Sequence, residues 1–319
     1  MPKISVIIPV YNVEEYLPQS LNSVVNQTHS DIEIICINDC STDNSLKILE
    51  EYTEKDCRIK LINFSKNQGV SVARNAGIDI AEGDYIAFLD PDDWWELELL
   101  EKAIKKLQLD NADVILFSHN EIKNNEIIKN KEKLKKIQDV INGTNYINYL
   151  QDFSILIWDK IYRKDFIKNR NIKFIQNIHQ TEDVLFSLEV FSNNPIVTFI
   201  AENLYNYRLN REGSAMYNSV MLVSNQIKAF KTMLECNFYI NADDKYKQQC
   251  INIIFGGVVY FYLLTKEKKF SLQDFLEVRS LVKYMEEKIP MFILENISEY
   301  KHLKNITSVN LNRGISCLK

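Results

Sequence analysis

Strand and helix patterns alternate through the first 117 residues, and this rhythm limits the folds open to the N-terminal part of the chain. Ile4 to Ile8, Ile32 to Ile37, Ile59 to Ile62, Tyr85 to Leu89 and Val114 to Phe117 are short apolar runs of the length and β-branched content that strands prefer. Between them Leu17, Leu21, Val24 and Val25 fall on one helical face, and Leu46, Leu49 and Tyr52 follow the helix caps offered by Ser41-Thr42-Asp43. Helical patterns around Val72 to Ala81 and Leu97 to Leu109 complete the series. Runs apolar on both faces, joined by helices, predict an α/β fold with a mostly parallel central sheet covered on both sides. Ligands of such sheets bind beyond the carboxyl ends of the strands.

Just beyond one of those ends stands Asp90-Pro91-Asp92-Asp93-Trp94-Trp95. Clustered Asp oxygens are hard ligands suited to Mg²⁺ or Mn²⁺, and such an ion commonly carries a diphosphate. The plainer use of the same residues is a turn leading into a helix, where the dipole favours Asp. Other motifs share this double reading. Asn38-Asp39-Cys40-Ser41-Thr42-Asp43 fits turn and cap chemistry as well as ligand contact, above all at Asp43. Glu182 and Asp183 suit a helix N-terminus, but a helix start can also present a catalytic carboxylate. Trp158, Ile161 and Tyr162 suit a core. Trp94 and Trp95 suit either a sugar face or packing at a sheet edge.

Taken together the motifs resemble a family 2, GT-A-type glycosyltransferase, from residue 3 to about residue 214. Val6-Ile7-Ile8-Pro9-Val10-Tyr11-Asn12 resembles its opening strand and loop, and Asn38 to Asp43 its N-D-G-S-T-D loop. Asn67-Gln68-Gly69 with Ala73-Arg74-Asn75-Ala76-Gly77 matches a segment near the nucleotide, and Asp90-x-Asp92 matches the D-x-D. Thr181 to Phe186 resembles an E-D-x-x-F element, Trp158 to Arg163 a W-x-K-x-x-R pattern, and Tyr205 to Arg208 with Arg211 and Ser214 a closing segment that orders over the donor. The resemblance implies a Rossmann-like GT-A domain in which Pro9, Tyr11, Asn12, Asp39, Asn67, Arg74 and Asp90 bind the donor nucleotide. Asp39 would read the uracil edge. Asp92, assisted or replaced by Asp93, would hold Mn²⁺ or Mg²⁺, and Asp183 would be the general base. Lys160, Arg208 and Arg211 would meet the diphosphate or the acceptor. The implied reaction is metal-dependent, inverting transfer of a hexose or N-acetylhexosamine from a UDP-sugar to a bacterial surface glycan such as lipooligosaccharide, capsule or a lipid-linked oligosaccharide. Cys40 departs from the pattern, since it stands where the family has Gly and a Cys tolerates positive φ poorly. That departure leaves a second reading, a non-catalytic nucleotide-sugar-binding scaffold in a glycan assembly complex.

Composition sets outer bounds. With 319 residues, 46% hydrophobic, the chain can bury a large core, and a formal net charge of −5 disfavours nucleic acid as a main partner. Six cysteines without metal spacing, and no cleavable leader pattern, read as a reduced cytoplasmic protein, with peripheral contact at the inner face of the membrane as an option. The apolar stretch from Ile251 to Leu264 is shorter than the roughly 20 residues that cross a bilayer. Residues 118 to 145, rich in Asn and Lys, read as a solvated excursion or as a patch for an anionic acceptor. The expected division is a catalytic domain over 1–214, with its acceptor side from 118, and a helical region over 215–319 that packs on it, pairs with a second copy or touches membrane.

Overall fold

The computed structural model describes residues 3–124, 126–130, 155–178, 180–209, 219–254, 272–295 and Tyr300. The chain divides into two compact units, Met1–Arg211 and Glu212–Lys319.

In the first unit the expected alternation appears nearly residue for residue. Strands β1 (Ile4–Val10), β2 (Ile32–Asn38), β3 (Ile59–Asn63) and β4 (Tyr85–Phe88) alternate with helices α1 (Leu17–Val25), α2 (Ser45–Lys55) and α3 (Val70–Ile80). All seven residues of β1 and of β2 are buried, as their apolar runs require of strands covered on both faces. The four strands are parallel in the order β3-β2-β1-β4. Beyond β4 the sheet is mixed. β8 (Lys160–Arg163) inserts antiparallel between β4 and β6 (Val114–Lys123), while β9 (Val197–Arg208) runs parallel to β6 and pairs at its far end with the two-residue β5 (Trp94–Trp95). Helix α4 (Leu99–Leu109) follows β5.

Two expectations change here. The polar stretch after residue 117 begins as sheet, because β6 runs on to Lys123 and pairs with β7 (Glu126–Asn130); residues 131–154 lie outside the described residues. Tyr205 to Arg208, expected on a closing loop, is instead the end of the twelve-residue β9. Glu202, Asn203 and Asn206 interrupt its apolar pattern, but backbone pairing needs no apolar side chains.

Helix α5 (Lys164–Asn169) leads to a segment over 171–178, and α6 (Glu182–Ser192) follows it. The second unit is helical among its described residues, with α7 (Ser219–Glu235), α8 (Asn237–Ile240), α9 (residues 244–254), α10 (Leu272–Lys288) and α11 (Met291–Leu294). Among the described residues no helix is long and apolar enough to cross a membrane.

Candidate active site

The carboxyl ends of β1 and β2 lead into two loops that fasten to each other. Asn12 donates its backbone N–H to Ser41 Oγ (3.1 Å), and its side-chain Oδ1 accepts from the Thr42 N–H (2.7 Å). Asp43 accepts from the N–H groups of Glu14 and Ser45, so it holds the turn into α2. Cys40 does adopt the left-handed conformation that its family counterpart's Gly allows, at φ 60°.

Asp39 is buried, and its two oxygens accept the N–H groups of Gln68 (2.7 Å) and Gly69 (2.8 Å) at the start of α3. Asn67 donates to the Asp39 carbonyl (3.2 Å), and Gly69 turns the chain into the helix at φ 87°. The carboxylate therefore sits where amide dipoles favour negative charge. Pro9, Tyr11, Asp39 and Asn67 line one cleft of about 280 Å³, closed on another side by Asn177 and Ile178. That is close to the lower end of small-molecule pockets, roughly 300 Å³. Asn12 is absent from its lining, and its side chain holds the two loops together.

A second constellation centres on Arg74. Its guanidinium is buried and bridges two carboxylates, Asp90 Oδ1 at 3.0 Å and Glu182 Oε1 at 2.8 Å. The Phe174 ring lies beneath it with its centroid 5.3 Å away, and Phe174 stacks on Phe186 of α6 at 4.2 Å. Asn75 clamps Phe174 in turn, donating to its carbonyl and accepting from its N–H. Arg74 thus ties α3, the turn after β4 and the start of α6 into one body. Arg74, expected as a nucleotide ligand, holds this bridge through its two terminal nitrogens, while its buried Nε has no hydrogen-bond partner among the described residues.

Asp183 stands beside Glu182 in the first turn of α6. Burial raises its carboxyl to about 7, the Glu182 charge adds to the rise, and Arg74 and the Val184 N–H oppose it. A carboxylate poised near neutrality suits proton abstraction.

The acidic turn after β4 holds three carboxylates in different settings. Asp90 is part-exposed; burial pushes its pKa up, Arg74 pulls it back and the Asp92 charge adds to the rise. Asp92 is part-exposed, and its backbone carbonyl accepts from Arg208 Nε (3.0 Å). Asp93 departs from expectation as a metal ligand. It is buried, accepts from Tyr205 Oη and from the Arg208 N–H at 2.7 Å each, and so locks the turn to β9. Burial and the Asp92 and Asp90 charges push it well above the usual carboxylate range. Carboxylate charges this close together repel, and a divalent cation would relieve that repulsion. Among the described residues no three His, Cys, Asp or Glu side chains form a metal cage.

The basic candidates are revised as well. Lys160, expected near the diphosphate or the acceptor, is fully buried on β8 and pairs with Asp159 Oδ1 (2.6 Å) and the Leu156 carbonyl; burial lowers its pKa, and the Asp159 and Asp183 charges oppose that shift. Arg208 lies over the rings of Tyr16 (4.9 Å) and Trp94 (4.8 Å) and donates to Gln19 Oε1, so it braces the acidic turn. Arg211, His179 and Ser214 lie outside the described residues. Trp158 is buried, stacked on Tyr205 at 4.5 Å. Sequence reasoning missed the Glu182–Arg74 pair, the Asn75–Phe174 clamp and the wall formed by Asn177 and Ile178. No local pattern marks a pairing across about a hundred residues; only the unusual burial of Arg and Glu gives it away.

A mixed α/β sheet with a cleft and acidic side chains beyond the carboxyl ends of its parallel strands places the chain in the class of open α/β proteins that bind ligands at that edge. Within it, the chain belongs to glycosyl transferase family 2, whose model matches residues 5–175. It is similar to the uncharacterized glycosyltransferase EpsJ of Bacillus subtilis, 31% identical over 222 residues that cover 66% of this chain and 62% of that protein. It is also similar to the poly(ribitol-phosphate) beta-N-acetylglucosaminyltransferase TarS of Staphylococcus aureus, 29% identical over 68% of this chain and 37% of TarS. The chain thus spans less than two thirds of these relatives. A crystal structure of TarS 1-349 with UDP-GlcNAc shares the fold at TM-score 0.76 and 22% identity, covering 96% of this chain and 88% of that one. The mannosyltransferase PcManGT of Pyrobaculum calidifontis with GDP-Man and Mn²⁺ matches at TM-score 0.54 and 13% identity, over 95% and 85%.

Proposed function

We propose that the protein is a metal-assisted, inverting glycosyltransferase that moves one hexose or N-acetylhexosamine from a UDP-sugar to a hydroxyl of a bacterial surface glycan. The observation that carries this reading is the Arg74 bridge, which joins the acidic turn at Asp90 to the α6 start that bears Asp183. The nucleotide half of the site and a carboxyl near neutrality are then parts of one rigid body.

In this reading the cleft beside Asp39 takes the base and ribose, and an ionised carboxylate there accepts from a base N–H. Asp92, with Asp90 beside it, would hold Mn²⁺ or Mg²⁺, which supplies Lewis-acid stabilisation of the departing diphosphate. Asp183 takes the proton of the acceptor hydroxyl as its oxygen attacks the anomeric carbon, and the bond from that carbon to the diphosphate oxygen breaks. The names of TarS and its complex with UDP-GlcNAc support a UDP-sugar donor. The complex of PcManGT supports the metal.

The test incubates purified protein with a panel of UDP-sugars, with Mn²⁺, Mg²⁺ or EDTA, and measures UDP release with and without extracted bacterial glycolipid. Release from one donor, raised by acceptor and abolished by EDTA and by Asp92→Ala, is the expected result. Folded protein that binds UDP-sugars but releases nothing with any acceptor would favour a scaffold.

A further inference from the structure

Ser71 stands in the first turn of α3 and lines the same cleft as Asp39. It is only 3% exposed, and its hydroxyl has no hydrogen-bond partner among the described residues. A buried hydroxyl without a partner is destabilising, so its place on a ligand cleft calls for a ligand atom to pair with. We propose that Ser71 reads the donor's nucleobase, its Oγ–H donating to a carbonyl beside the imide N–H of a uracil ring. This deepens the proposed function and rests on its uridine donor.

The argument follows from what each group can accept or give. Asp39 already takes one backbone N–H on each oxygen and retains lone pairs for one more donor. A carboxylate on a cleft wall selects a ring edge with an N–H. In uracil that N–H is flanked by two carbonyls, and a hydroxyl on the wall can donate to one of them. Cytosine presents a lone pair at the same ring position, which the Asp39 carboxylate repels, so its edge does not seat against Ser71. Carboxylate and hydroxyl together form a two-point reader of the imide, whereas Asp39 alone is a one-point reader.

The test measures dissociation constants of UDP and CDP by calorimetry for the full chain and for Ser71→Ala, with the melting temperature of each. Wild-type protein should prefer UDP, and Ser71→Ala should bind UDP about tenfold more weakly, the size of one hydrogen bond, with CDP unchanged. The melting temperature should hold or rise, because Ala removes an unpaired buried hydroxyl and favours the helix. Unchanged UDP affinity in Ser71→Ala would overturn the proposal, and so would an equal loss for UDP and CDP, which would put the hydroxyl on ribose or phosphate. A wild-type protein that binds no uridine nucleotide would overturn the donor reading and this proposal with it.

Discussion

Single residues hold the site under identifiable stress. Cys40 carries φ 60°, a conformation that costs a residue with a Cβ about 1 kcal/mol or more relative to Gly. Cys40→Gly relieves that cost but adds backbone freedom to the unfolded chain, and we expect a net gain of about 0.5 kcal/mol, seen as a small rise in melting temperature. Asp183 makes a stronger prediction. A base must be ionised to act, and burial holds this carboxyl up at about 7. The rate of transfer should therefore fall about tenfold per pH unit below pH 7 and level off above it. A profile of kcat against pH from 5 to 9 checks this. The acidic residues were legible as a group in the sequence, but their division of labour was not. Nothing in Asp90-Pro91-Asp92-Asp93 says that the third carboxylate turns inward to Tyr205, because Tyr205 is 112 positions away.

At the scale of elements, α3 lies against β1 through one missing side chain. A Cβ at Gly77 would fall 2.5 Å from Ile7 Cγ2 and 3.2 Å from Ile37 Cδ1, and both isoleucines are fully buried. Gly77→Ala should cost about 1 to 3 kcal/mol by overpacking, measured as a lower urea midpoint. It should also disturb the site, since Ser71 and Arg74 ride on the same helix. The strands β1 to β4 could be read from the sequence because burial on both faces leaves a continuous apolar run. Strand β8 hid its identity, since its first residue is a Lys that is buried with Asp159. Strand β9 hid in the same way behind Glu202 and Asn203, and the two tryptophans after the acidic turn gave no sign that they would pair with it.

The whole molecule should respond to pH in two directions. Burial pushes the Glu33 carboxyl up, but Lys60, Ser5 and the N–H groups of Glu82 and Gly83 outweigh it and hold the group at about 2. A depressed carboxyl contributes stability above its unfolded pKa, and this is lost as pH falls through the native value. Asp183 and Glu189 are shifted the other way, each to about 7, both chiefly by burial. Raised carboxyls favour the native state while protonated, so their contribution is present below the unfolded pKa and fades as pH rises through 7. From pH 5 to pH 7.5 these two groups make the folded chain bind more protons than the unfolded one, and urea unfolding should show stability falling by up to roughly 5 kcal/mol. Glu189→Gln should flatten part of that slope. In the other direction, Glu33→Gln should weaken the molecule at neutral pH and make it less sensitive to acid between pH 4.5 and pH 2.

The central claim is that cleft, acidic turn and α6 carboxyl form one inverting transfer site. The most direct measurement follows the anomeric configuration of the transferred sugar by NMR for wild-type protein and for Asp183→Asn. The account predicts a product of inverted configuration from the wild type, and no transfer from Asp183→Asn although UDP binds as before. A product of retained configuration, or an Asp183→Asn protein that transfers at the wild-type rate, would contradict it.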